Sequence, residues 1–109
     1  MNEYLPTHDE SMRDFHGRMW AALSPDLQTQ IVQEALDILR ASSDDPEKNI
    51  AEIQSVIAQN PDGWSAGYHS GWGMWFRNQL RKHILDNELP SGNWDDYYIR
   101  AIELAVGMA

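Results

Sequence analysis

His69, Arg77, Asn78, Asp95 and Asp96 are the residues of this chain whose types could do chemistry together. An imidazole can move a proton and paired carboxylates can share one. Two guanidinium forks one helical turn apart, at Arg77 and Arg81, can converge on an anion. Each feature also has a plainer explanation. The paired acids Asp9-Glu10, Asp44-Asp45 and Asp95-Asp96 all stand where a helix is about to begin, where capping and the helix dipole favour carboxylates. Arg77 can be spent on an internal ion pair with Asp95 or Asp96, leaving Arg81 and Lys82 on the surface. His69 and His83 are fourteen residues apart, about 21 Å along one helix at 1.5 Å per residue, so they cannot share a metal. His8, Asp9, Glu10 and His16 are of metal-binding types but lack the one-turn His-x-x-x-His spacing of a helical zinc site. The chain has no cysteine, so no thiolate ligand or nucleophile exists. No glycine-rich phosphate loop, nucleophile elbow or calcium loop appears. No catalytic residue, metal site or cofactor is assigned, and the expectation is a protein that is not an enzyme.

The elements that must position these residues read as helices. Ser11, with Asp14 three residues on, opens the first, whose apolar positions are Met12, Phe15, Met19, Trp20 and Leu23. Ser24-Pro25-Asp26 is a helix start, followed by the stripe Leu27, Ile31, Ala35, Ile38 and Leu39. The Ser42–Pro46 cluster stops that helix and caps the next, which buries Ile50, Ile53, Val56 and Ile57. Asn60-Pro61-Asp62-Gly63 makes a turn, with proline fixing φ and glycine supplying the permissive position. A helix is predicted from about Ala66 to Leu85, then a loop over 86–92. Asn93 caps the last helix, with Trp94, Tyr98, Ala101, Ile102 and Ala105 on its apolar face and Gly107 as its stop. No stretch alternates long enough for a strand. The fold class is therefore all-α, a bundle of about five helices around a central glycine- and tryptophan-rich helix. Residues 1–109 form one domain, with 1–10 as a lead-in arm.

Within the central helix Gly67 and Gly71 are four apart and would share a face, and Gly63 precedes them at the same interval. A glycine inside a helix costs about 1 kcal/mol relative to alanine, so a run of them implies close approach by another backbone. Trp72, Phe76, Leu80 and Ile84 form the adjoining stripe, broadened by Trp75. Two readings follow: this segment is the core helix, with Trp72 and Phe76 buried, or its rings line a groove for a peptide or small ligand.

His69, Gly73-Met74-Trp75-Phe76-Arg77-Asn78 and then Asp95-Asp96-Tyr97-Tyr98-Ile99 resemble a family of small bacterial and phage proteins. Its pattern is a histidine, a glycine-methionine pair, an aromatic or aliphatic residue, Arg-Asn, and a later Asp-Asp before the last helix. The resemblance covers about the last 40 residues and departs from the pattern in the long approach Leu89–Trp94. It implies a shared fold nucleus, in which Arg77-Asn78 connects structurally to Asp95-Asp96, and a phage or prophage origin. It implies no reaction.

Composition narrows the partners. At 109 residues, 42% apolar and 23% charged, the chain is long enough for one core and ordinary enough to fold. Its net charge is −9, which argues against direct binding of nucleic acid, since that needs clustered bases. The charge is uneven: residues 1–66 carry twelve acids against four bases, 67–85 three bases and no acid, and 86–109 five acids against one base. No apolar run can span a membrane, and the N-terminus lacks the basic and apolar regions of a signal peptide, so the expected location is the cytoplasm. Three functions are carried forward. The first is a non-enzymatic acidic protein-binding module, with a partner that has a basic surface, the natural case being a phage-encoded inhibitor of a host or defence protein. The second is a nucleic-acid mimic blocking a DNA- or RNA-binding protein, with Glu34, Asp37, Asp44, Asp45, Glu47 and Glu52 along one side of helices two and three. The third is a small ligand-binding protein or enzyme using His69, Arg77 and Asn78.

Overall fold

The computed structural model describes residues 5, 6 and 9–108. Five α-helices follow in order: α1 (Met12–Ala21), α2 (Pro25–Ala41), α3 (Pro46–Gln59), α4 (Trp72–Arg81) and α5 (Tyr98–Ala105). Short 3-10 turns lie at Trp64–Gly67, Asp86–Glu88 and Trp94–Asp96, and no strand occurs among the described residues. The first three helices start where their side chains dictate. Ser11 accepts the Asp14 N–H at 3.1 Å, Ser24 the Leu27 N–H at 3.2 Å and Asp45 the Lys48 N–H at 3.2 Å. Each bond satisfies a donor that the first helical turn leaves without a partner. Of the lead-in arm, Leu5 and Glu10 are tied to α1 through Arg18, which donates to the Leu5 carbonyl and to both Glu10 oxygens at 3.0 Å. His8 lies outside the described residues.

Helix α2 packs against α3, α4 and α5, most extensively against α5. Ile31, Ala35 and Leu39 are fully buried, against a core that includes Phe76, Leu80, Trp94, Tyr98, Ala101 and Ile102. Removing one such large side chain from water contributes roughly 1.5–3 kcal/mol, so this apolar seam is the main cohesive element. Met12 points outward instead of joining the α1 stripe, and α3 contributes only Ile57 as a fully buried residue.

The segment around the tryptophans departs from expectation. Instead of one helix from Ala66 to Leu85, the chain makes the 3-10 turn Trp64–Gly67, reverses through 68–71, and begins α4 only at Trp72. Gly71 sits at φ −105°, ψ −98°, outside helical geometry, and Gly73 donates its N–H to the Tyr68 carbonyl at 2.6 Å. Gly67 and Gly71 therefore share no helix face, and a Cβ on either would meet nothing within 4 Å. The close approach is at Gly73, where a Cβ would stand 2.7 Å from the Tyr68 carbonyl oxygen and 3.1 Å from the Tyr98 hydroxyl. Gly63 has φ −136°, a conformation open to any residue.

Helix α4 also stops early. The Leu80 carbonyl accepts the N–H groups of both His83 and Ile84 at 3.0 Å, while Trp94 Nε1–H donates to the Ile84 carbonyl at 3.0 Å. Asn93 caps the Trp94–Asp96 turn rather than α5 itself, accepting the Asp95 N–H at 2.9 Å. At the other end Gly107, at φ +75°, closes α5. Met108 N–H bonds to the Glu103 carbonyl and Gly107 N–H to the Leu104 carbonyl. This is the paired-bond pattern that a left-handed C-terminal glycine permits.

Candidate functional site

Two sites lie on either side of the segment 64–77. The first is a polar lock. Arg77 is 4% exposed, and its guanidinium reaches Asp95 Oδ1 at 3.0 Å and the His69 carbonyl at 2.9 Å. It also stacks over the Tyr98 ring, 4.8 Å from the centroid. Arg77 Nη1 lies 2.9 Å from His69 Nδ1, with the Tyr98 hydroxyl 3.0 Å from the same nitrogen. A guanidinium only donates, so the imidazole is the acceptor in this contact, and His69 Nε2 lies 3.3 Å from the same Nη1 and 4.0 Å from Asp95 Oδ2. Burial pushes the Tyr98 hydroxyl above its ordinary pKa, with Asp95 adding to the rise and Arg77 opposing it. The lock ties together the reversal before α4, α4 itself, and the turn that leads into α5.

The structure thus brings together His69, Gly73, Arg77, Asp95 and Tyr98, and places the other motif residues elsewhere. Asp96 accepts the Ser91 hydroxyl at 2.7 Å, and Asn78 is exposed, accepting from Arg81 at 2.7 Å. Trp75 is 39% exposed. Arg81 is held by Asp86 at 2.6 Å, which raises its pKa and draws the Asp86 carboxyl below its ordinary value, helped by the Trp94 N–H. His16, on the buried face of α1, has a lowered pKa because burial disfavours its charged form, an effect opposed by Asp96 and reinforced by His69. Of the six acids on helices two and three, Glu34 faces His83 at 3.4 Å, Asp37 accepts from Gln33, and Asp45 caps α3. Asp44, Glu47 and Glu52 are exposed. Among the described residues no three histidines, aspartates or glutamates gather as a metal site.

The second site is a groove of about 490 Å³ between α3 and the chain before α4. One wall is Ile53 and Val56 with Asn49, Glu52 and Ser55, and the other is Trp64, Tyr68 and Trp72. The rings contact one another in succession. Trp64 and Tyr68 are 6.4 Å apart between centroids; Tyr68 and Trp72 are 6.2 Å apart with planes at 77°. Trp75 continues the surface 6.3 Å beyond Trp72. At the base of the groove Trp64 is fixed by its indole N–H, which donates to the buried Glu103 carboxylate at 3.2 Å, and Arg100 lies 3.7 Å from the same carboxylate. Trp72 is thus only partly buried, unlike the fully buried Phe76. Trp64, Tyr68, Trp72 and Phe76 recur every four residues, the same interval as the glycines one position before the first three. That aromatic interval is the sequence signal for the groove.

No family model, curated protein or solved structure matches this chain. Among the described residues no helix is long and apolar enough to cross a membrane.

Proposed function

We propose that this protein is a non-enzymatic recognition module whose groove between α3 and the Trp64–Trp72 stretch takes an apolar segment of a basic protein partner. The observation that carries this reading is the groove itself. Its volume of about 490 Å³ lies within the range of ligand-binding clefts. Its aromatic wall supplies the rigid, amphipathic rings that dominate binding hot spots. Tyr68 is 38% exposed, so contact surface is available without rearranging the core. The net charge of −9 favours encounter with a basic surface. The side chains with the best chemistry, His69, Arg77, Asp95 and Tyr98, are engaged with one another instead, which fits recognition better than catalysis. A phage-encoded inhibitor of a host or defence protein is one setting in which such a module would work.

The test is selection from a random peptide display library, followed by Tyr68→Ala as the discriminating variant. The expected result is peptides with an apolar anchor flanked by Lys or Arg, whose binding falls about tenfold or more in the variant. Peptides that bind Tyr68→Ala as well as the parent would place recognition elsewhere.

A further inference from the structure

We infer that, beside the apolar segment, the groove selects one flanking arginine side chain of its partner, held by the Tyr68–Trp72 corner and Glu52. This inference rests on the groove reading above and adds the chemical identity of the flanking base. A purely apolar groove needs no charge on its wall, but this one combines three rings with a single carboxylate and has no base among its lining residues. Tyr68 and Trp72 meet nearly at right angles, with planes at 77°, so they form a corner rather than a flat slab. Aromatic faces carry negative potential and attract a cation, most effectively a weakly hydrated one. Guanidinium is more weakly hydrated than ammonium. It is planar, so it stacks on a ring, and it can fork two N–H groups onto one carboxylate.

Arg77 is committed to Asp95 and Arg81 to Asp86, Lys82 donates to Gln79, and no ion pair joins Lys48, one helical turn before Glu52, to that carboxylate. Glu52 takes part in no ion pair among the described residues, although Arg13, Arg18, Arg77, Arg81 and Arg100 each do. The groove therefore presents an uncompensated carboxylate beside a cation-attracting corner. A methylated lysine would satisfy the rings but could not fork onto Glu52, and a neutral aromatic anchor would leave that carboxylate unused.

The test compares N-acetyl-arginine methylamide with its citrulline counterpart, which keeps the shape and loses the charge. Binding is followed through the indole N–H resonances of Trp64 and Trp72 in the full-length protein. The arginine probe should shift both resonances saturably and bind roughly fivefold or more tightly than citrulline. Glu52→Gln should remove most of that advantage. Equal binding of the two probes, or an advantage that survives Glu52→Gln, overturns the inference. The groove reading then still stands if the display-selected peptides lose binding in Tyr68→Ala. Indole resonances unmoved by the arginine probe also overturn the inference, and peptides insensitive to Tyr68→Ala overturn the reading beneath it.

Discussion

Arg77 reaches Asp95 at 3.0 Å while almost all of its own surface is withdrawn from water. The pair joins α4 to the turn before α5, and the guanidinium also holds the His69 carbonyl. A buried cation left without its counter-charge is costly, whereas an exposed pair contributes little. Asp95 is itself partly exposed, so water moderates its loss. Asp95→Ala should therefore lower stability by about 1.5–3 kcal/mol, measured by urea denaturation. Arg77→Lys should not be tolerated as a conservative change, because an ammonium cannot bridge Asp95 and the His69 carbonyl in the same plane. An Asp95→Ala variant as stable as the parent would show that the pair contributes nothing.

Gly73 and Gly67 should behave oppositely on substitution by alanine. A Cβ at Gly73 collides with the Tyr68 carbonyl, so Gly73→Ala should cost about 1–3 kcal/mol through forced displacement. Gly67 has open space around it and lacks a positive φ, so Gly67→Ala should be neutral or raise stability by about 0.4–1 kcal/mol. Thermal denaturation of the two variants side by side decides it. Equal effects would mean that the turn before α4 does not depend on contact at Gly73.

His16 gives stability a dependence on mildly acidic pH. Burial lowers its pKa in the folded protein, so the unfolded chain binds the proton more readily. Stability is then fully present above the ordinary histidine value, about 6.5, and is lost as pH falls from there toward the lower folded value. His16→Phe removes the titrating group. The urea midpoint of this variant should change less between pH 7 and pH 5 than that of the parent. Parallel pH profiles would place the titration on other groups.

Asp86 acts at lower pH with the same sign. Its folded pKa is depressed first by Arg81 and then by the Trp94 N–H. Its contribution is present above the ordinary aspartate value, near 4, and is lost as pH falls through the folded value. Asp86→Asn should flatten the acid limb of the stability profile below about pH 4. An unchanged acid limb would rule Asp86 out as its source.

Much of this architecture is legible in the residues. Ser11, Ser24 and Asp45 cap the helices their positions announce, and Phe15, Ile31, Leu39 and Ile102 lie where helical spacing puts them, in the core. Local chemistry decides such features, so they can be read one helix at a time. The stretch 66–71 could not be read this way. Its glycines are compatible with a helix, and what breaks the helix is a tertiary demand: the Tyr68 carbonyl turns inward to meet Gly73, beside the Tyr98 hydroxyl. The Arg77–Asp95 pair was foreseeable because a basic segment needs an acid and Asp95 was at hand. An aromatic groove on this segment was open as a reading, but its second wall was not legible, because it exists only once α3 stands opposite Trp64 and Tyr68.

The two walls of that groove differ in stiffness. The aromatic wall is pinned by the guanidinium of Arg77, the contact at Gly73 and the indole of Trp64. The α3 wall buries only Ile57 completely, with Ile50, Ile53 and Val56 half-buried against the core, and two of its side chains reach neighbouring carbonyls, Gln54 to Val106 at 2.8 Å and Asn49 to Leu39 at 3.2 Å. The groove therefore resembles a vice with one fixed jaw and one compliant jaw. Helices with little buried apolar contact open first in amide exchange, so α3 should exchange ahead of α4 and α5. The same compliance would let one rigid aromatic face accept segments of different girth, with the cost of adapting borne by α3 alone.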